Sequence, residues 1–336
     1  MNKNLNTPLV SIIIVNYNGK LYLEKCLESI KKINYDNLEI IVVDNNSTDG
    51  TIEFLVQNYP SIITLKLDKN YGFAKPNNIA AKIAKGDFLL FLNNDTEVTP
   101  NFLSELVQVL AQNPEIGICQ SLLLKPNGKM DSSGDFIDTI GIVYNSKEPI
   151  DKMREISSAR GASMIIRKKL FFDLSGFDEK FFVSFEDVDL GWRTWIMGYK
   201  VVINPKSIVY HHGGKTHETI KDEISFHGLK NQLSMKITNF EIKYAINSLI
   251  KFFFIFGIRE LNILFDYKIK GKTTITSTKY EDTIAAKPNM SAILKALFWI
   301  LLNSKYLQNK RKKIHEYRKI STKELQKMNI ISSIQR

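Results

Sequence analysis

Cysteine is almost absent: Cys26 and Cys119 are the two in 336 residues, far apart and in no CxxC pair. That excludes a disulfide scaffold, a zinc knuckle and an iron–sulfur cluster, and it fits a reducing cytosol. Long apolar runs are missing too. Nothing reaches the ~18 uninterrupted apolar residues of a transmembrane helix, and the opening MNKNLNTPLV lacks the apolar core of a signal peptide. GxxxxGK[ST] does not occur, no GxGxxG follows the first apolar run, and neither a Ser-His-Asp nor a Cys-His spacing is present. P-loop, dinucleotide and hydrolytic chemistry therefore lack support, which leaves group transfer. With 44% apolar and 24% charged residues the chain is globular, long enough for one α/β domain of about 200–250 residues and an addition to it.

Acidic residues are scarce in one region only. Through Gly214 there are 23 Lys and Arg against 25 Asp and Glu, and beyond it 23 against 10, so the formal net charge of +11 belongs to the last third. A Lys-rich coding bias would act on both parts alike. The asymmetry instead predicts a near-neutral domain over 1–216 and a basic, mainly helical region over 217–336.

Strand and helix signals alternate through the first hundred residues. Leu9–Val15 (LVSIIIV), Leu38–Val43, Ile62–Leu67 and Phe88–Leu92 are short apolar runs of the kind found in strands covered on both faces. Lys20–Lys31, Asp49–Asn58 and Pro76–Ala84 read as the helices that follow the first three strands. Such βα units predict an α/β fold with a mostly parallel central sheet flanked by helices. Polar clusters close the strands: Asn16-Tyr17-Asn18-Gly19, Asp44-Asn45-Asn46-Ser47, Lys69-Asn70-Tyr71-Gly72 and Asn93-Asn94-Asp95. Any one of them is ordinary turn chemistry, but together they mark the carboxyl edge where an open α/β sheet binds its ligand. A helix over Asn101–Gln112 leads into mixed strands, and Lys200–Ile203 with Ile208–Tyr210 read as a strand pair ending at His211-His212-Gly213-Gly214. Past residue 215 helical stretches dominate, including Ile242–Ile258 and Ser291–Gln308.

Several of these runs resemble one family in both content and order. They are SIIIVNYNG (Ser11–Gly19), VVDNNSTDG (Val42–Gly50), NYGFA (Asn70–Ala74), FLNNDTEV (Phe91–Val98), RGASMIIRK (Arg160–Lys168), GFDEKFFVSFEDVDLGWR (Gly176–Arg193) and VYHHGGKT (Val209–Thr216). The chain over about 8–216 is similar to the inverting family 2 glycosyltransferases of GT-A fold, in particular to the rhamnosyltransferase-like enzymes of bacterial surface-polysaccharide synthesis. The resemblance implies a nucleotide-sugar donor, dTDP-rhamnose first and a UDP-hexose second. It also implies a glycan or polyprenyl-linked saccharide acceptor, used on the cytosolic face of the plasma membrane. Its donor-half residues map onto Val15, Tyr17, Asp44, Asn70, Gly72, Asn77 and Asn94. Tyr17 offers a ring and Asp44 an acceptor for a base N–H or a ribose hydroxyl.

Asn93-Asn94-Asp95 stands where the family has an acidic motif for a divalent cation, Mg2+ or Mn2+. Only Asp95 is a carboxylate here, so the resemblance supplies one hard oxygen ligand from this motif. The strand-terminal histidine pattern selects His211 as a second ligand, with His212 adjacent and Thr216 where Ser is commoner. In the acidic run Glu186-Asp187-Val188-Asp189, the resemblance assigns Asp187 as the base that takes the acceptor proton. Glu186 would orient the acceptor or the base, and Asp189 would cap the helix that follows. The dipole of that helix should depress the Asp187 pKa. Gly161 and Ala162 are small residues at which an acceptor can approach the backbone. Lys75-Pro76 departs from the family pattern: Lys75 either reaches a donor phosphate or is incidental to Pro76 in a first helical turn.

The basic third contains two short apolar stretches, Leu249–Ile258 and Ala292–Leu302, and a basic run from Lys310 to Lys319. Together they resemble interfacial helices on an anionic bilayer, so the protein is expected to be peripheral on the inner membrane face. A packed helical subdomain or a homodimer interface is the competing reading. Nucleic acid is not an expected partner, because the aromatics lie in apolar runs and do not interleave with Lys and Arg.

Overall fold

The computed structural model describes residues 7–213, 221–254 and 290–332. Thr216, His217 and the end of the apolar stretch at 255–258 lie outside the described residues. Four parallel strands form the first half of the sheet, in the order β4-β1-β2-β3: β1 (Val10–Asn16), β2 (Leu38–Asp44), β3 (Ile63–Lys66) and β4 (Phe88–Asn93). Helices α1 (Lys20–Ile30), α2 (Thr51–Asn58) and α3 (Ala74–Ile83) make the crossovers. Successive side chains feed opposite faces. Ile13, Ile41, Leu89 and Phe91 join one core with Trp192 and Trp195, whereas Ile12, Ile14, Val42, Leu90 and Leu92 join the other with Leu23, Leu27 and Phe102. Burial on both faces explains the apolar runs within β1, β2 and β4, whereas β3 lies at the sheet edge and is only partly buried.

The second half is mixed. It comprises β5 (Thr96–Val98), α4 (Phe102–Gln112), β6 (Ile116–Leu124), β7 (Met130–Ser132), β8 (Asp135–Asp138), β9 (Val143–Asn145), β10 (Arg154–Glu155), β11 (Ser163–Arg167), α5 (Lys168–Asp173), α6 (Glu186–Ile196) and β12 (Lys200–His211). β11 runs antiparallel to both of its neighbours, β4 and β6, and so splices the halves into one 10-stranded sheet. The expected strand pair at 200–210 is instead a single strand. β12 runs parallel to β6, and its register shifts between Asn204 and Ile208, around Pro205, which has no N–H to give the ladder.

The chain then continues through α7 (Lys221–Asn239), α8 (residues 242–254), α9 (Met290–Leu302), α10 (Ser304–Glu316), α11 (Thr322–Lys327) and β13 (Ile331–Ser332). β13 pairs with β8, and the Ile330 carbonyl accepts from Ser157 Oγ. Much of the positive charge read as a surface run is turned inward. Arg311 donates to the Ile237 and Phe240 carbonyls and Arg318 to that of Asn239, so the two guanidinium groups cap the carboxyl end of α7. Lys310 Nζ lies 2.6 Å from Asp178 and 3.1 Å from Asp189. Among the described residues no helix is long and apolar enough to cross a membrane.

Candidate active site

The polar strand ends converge as expected. Asp44, the last residue of β2, is fully buried; its Oδ2 accepts from the Ser47 N–H at 3.0 Å and its Oδ1 has no partner. An orphaned buried carboxylate oxygen is costly and points to a donor that arrives with a ligand. Val15 pairs in register with Val43 and Asn93, and Tyr17 follows β1 with 38% of its surface exposed. The asparagines knit the loops. Asn94 Nδ2 donates to Asn16 Oδ1 at 2.6 Å, and Asn45 Nδ2 donates to Asn70 Oδ1 and the Gly72 carbonyl, both at 2.8 Å. Asn77 donates to the Phe73 carbonyl within α3. Gly72 sits at φ +77°, and a Cβ there would come within 2.0 Å of the Phe182 carbonyl oxygen, so only glycine fits. Lys75 Nζ lies 3.8 Å above the Tyr71 ring, a cation–π contact, and Pro76 falls in the first turn of α3, where a missing N–H is harmless.

Asp95 lies in the turn between β4 and β5, buried, with Oδ1 lacking a hydrogen-bond partner. β12 pairs with β5 through His211 and Thr96, which brings His211 Nε2 to 3.4 Å from Asp95 Oδ1. The other ring nitrogen, Nδ1, meets Asp131 Oδ2 at 2.9 Å. Burial alone would lower the His211 pKa, but the Asp131 and Asp95 carboxylates raise it to about 9. His212 turns away to Glu97, at 2.7 Å. Among the described residues no three His, Cys, Asp or Glu side chains form a metal cluster. Asp95 and His211 would nonetheless suit a divalent cation that displaces the His211 Nε2 proton: they offer one buried carboxylate oxygen and one imidazole braced from behind by the Asp131 carboxylate.

Glu186 and Asp187 open α6 after two consecutive left-handed residues, Ser184 (φ 71°) and Phe185 (φ 68°). Such a turn is strained for non-glycine residues and needs external support. Asn231 of α7 provides it, donating to the Val183 and Ser184 carbonyls at 3.0 and 2.7 Å. Asp187 Oδ2 accepts from the Gly161 N–H at 2.9 Å, and Oδ1 accepts from Val188 at 2.8 Å. Burial raises the Asp187 pKa against the pull of Gly161 and Arg160, so the expected depression by the helix dipole is outweighed. Glu186 is pushed well above the carboxylate range by burial and by Asp187 beside it, and its Oε2 has no partner. Of the pair, Glu186 is raised further, because the Gly161 and Val188 N–H groups and Arg160 favour the charged form of Asp187. Asp189 does not act as a cap. It is fully buried and bound by Arg193 at 2.8 Å, with Asn239 and Lys310 at 3.1 Å.

Three consecutive residues join the two halves of the site. Arg160 pairs with Asp135 at 3.1 Å, Gly161 holds Asp187, and the Ala162 carbonyl accepts from the Asn93 N–H at 3.1 Å. Gly161 and Ala162 therefore act through their backbone, with Ala162 otherwise in the core. Sequence reasoning missed Asp131, Asp135 and Asn231, which carry no local signal, and it quoted Arg160 without giving it a role.

Residues 11–174 match the family model described as Glycosyl transferase family 2. The chain carries a family 2 glycosyltransferase domain. An O-antigen biosynthesis protein of Myxococcus xanthus is 34% identical over 222 residues; the match covers 61% of this chain and 17% of that protein. The N-acetylglucosaminyl-diphospho-decaprenol L-rhamnosyltransferase of Mycobacterium tuberculosis is 26% identical over 248 residues, covering 65% of this chain and 80% of the relative. In structure, the Pyrobaculum calidifontis mannosyltransferase solved with GDP-Man and Mn2+ superposes with a TM-score of 0.51 at 15% identity, over 92% of this chain and 85% of its own. The glycosyltransferase domain thus has the GT-A fold, with the strand-end loops, the Asp95–His211 pair and the Asp187 turn on one sheet edge.

Proposed function

We propose that this protein is an inverting glycosyltransferase. It moves a sugar from a nucleotide-diphosphate donor to a hydroxyl of a glycan or lipid-linked saccharide in surface-polysaccharide synthesis. dTDP-rhamnose is the first donor to test, in keeping with the rhamnosyltransferase relative, and a UDP-hexose the second. The observation that carries the reading is Asp187, set at the start of α6 with its carboxylate oriented by the Gly161 and Val188 N–H groups and its pKa raised by burial. A base with a raised pKa matches the proton it must receive better than an ordinary carboxylate does. The acceptor oxygen attacks the anomeric carbon, Asp187 takes its proton, and the C–O bond to the diphosphate breaks with its electrons leaving on the nucleotide.

Asp44 receives the base or ribose of the donor, with Val15 and Tyr17 beside it, while Asn70, Gly72, Asn77 and Asn94 shape the loops that hold it. Asp95 and His211 would hold Mg2+ or Mn2+, with Asp131 fixing the His211 ring. The cation, when bound, offsets the charge that develops on the diphosphate. Residues 1–216 form the catalytic domain, and the region beyond 217 braces it. The protein works as a peripheral protein on the inner face of the plasma membrane, the C-terminal region forming either the membrane contact or a homodimer interface. A thermal-shift panel of nucleotide sugars with and without Mn2+ tests the reading, since only ligands of the native state stabilise it. Stabilisation by none of them removes it.

A further inference from the structure

Two helices of the C-terminal region are apolar on the wrong side. On α8, Ile242, Ile246, Ile250, Phe253 and Phe254 recur at helical spacing and are 63, 52, 64, 38 and 67% exposed. On α9, Leu294, Phe298, Leu301 and Leu302 repeat the pattern at 61, 61, 71 and 68% exposed. The opposite faces are already packed: Phe252 and Ala296 join Leu229 and Leu233 of α7 in a satellite core, with Leu249 and Ile293 against it. Isolated exposed leucines are ordinary, but two full stripes of large side chains are not.

Charge selects the occupant. Residues 242–254 and 290–302 contain no acidic side chain, and the exposed Lys243, Lys251 and Lys295 sit at the margins of the stripes, with Lys305 and Lys312 exposed just beyond. In a two-fold contact with a second copy these ammonium groups would bring like charges together without partners. Anionic lipid headgroups complement them while the acyl boundary takes the apolar side chains.

We infer that the exposed faces of α8 and α9 form a bilayer-inserting surface specific for anionic lipid. α7, which packs both helices, also holds the turn before Asp187 through Asn231. Seating the stripes in the headgroup layer therefore places the acceptor side of the site one helix away from the membrane. This deepens the acceptor part of the reading above, yet it is tested without donor or acceptor. The full chain is sedimented with vesicles of equal parts phosphatidylglycerol and phosphatidylcholine, and with phosphatidylcholine alone. The wild type should bind the mixed vesicles, release in high salt, and ignore the neutral ones. The Ile250→Ser/Phe254→Ser and Phe298→Ser/Leu302→Ser variants should each bind at least ~10-fold more weakly, with unchanged melting temperatures and unchanged nucleotide-induced thermal shifts. The inference is overturned if the wild type ignores the mixed vesicles or if both variants bind them as it does. It is equally overturned if the substitutions only convert a concentration-dependent dimer into a monomer.

Discussion

Replacing Lys310 by methionine asks whether the C-terminal region is a mere appendage or a structural support of the glycosyltransferase domain. The amine is the hub of a buried network, with side-chain exposures of 12% for Lys310, 3% for Asp178 and 0% for Asp189. Burial alone would raise the Asp178 pKa, but Lys310 beside it holds the carboxyl below its usual range. Removing one partner of a buried ion pair costs about 3–5 kcal/mol, because the other charge is left uncompensated. Here each carboxylate keeps other partners. Asp178 retains the Tyr306 hydroxyl and the Lys180 N–H, and Asp189 retains Arg193 and Asn239. The expected loss is therefore at the low end, about 3 kcal/mol. Urea unfolding read by tryptophan fluorescence suits the measurement, since Trp192 and Trp195 lie buried on α6 beside Asp189. Asp178→Asn combined with Lys310→Met should cost less than the sum of the two single changes, by roughly 1–3 kcal/mol. A loss below ~1 kcal/mol for Lys310→Met, the range of exposed pairs, would refute the argument that the network holds the last third onto the catalytic half.

Asp187→Asn should leave nucleotide binding intact and lower kcat at least ~100-fold; wild-type turnover in that variant would mean that another group accepts the proton. Asp131→Asn should weaken Mn2+ binding about 10- to 100-fold in calorimetry with nucleoside diphosphate present, and an unchanged affinity would mean that the 2.9 Å contact to His211 has no bearing on the cation. Lys236 is fully buried against the Ile140 carbonyl, and burial lowers its pKa to about 7 from an ordinary 10.5. Below about pH 7 the amine is charged in both states. Between that point and 10.5 only the unfolded chain binds the proton, so stability should rise with pH by about 2–3 kcal/mol from pH 7 to 9. Lys236→Met should flatten that rise in urea titrations, and equal slopes in the two proteins would show that Lys236 does not cause it.

What could be read from residues alone was local or periodic. Both-face burial gives β1, β2 and β4 their apolar runs, and turn chemistry at their carboxyl ends places Asp44 and Asp95 on one sheet edge from the residues alone. The order of the motifs pointed to the GT-A fold and to family 2 in the same way. The choice between His211 and His212 was not local. Adjacent residues at a strand end point to opposite sides, and only the antiparallel pairing of β12 with β5 turns His211 towards Asp95 and leaves His212 to Glu97.

The same limit explains the misreading of charge. Asp189 looked like a helix cap and Lys310 like one of a run of surface lysines, because each was judged by its neighbours in sequence. They meet across 121 positions, and a long-range pair of opposite charges leaves no trace in composition or periodicity. Side-chain chemistry and spacing, which act over a few residues, determined the strands, the helices and the candidate ligands of this protein. The packing of α7 and α10 on α6 decided which of those charges face water and what holds the turn before Asp187 in place. Burial and pairing set those outcomes, and neither exists until the chain has folded.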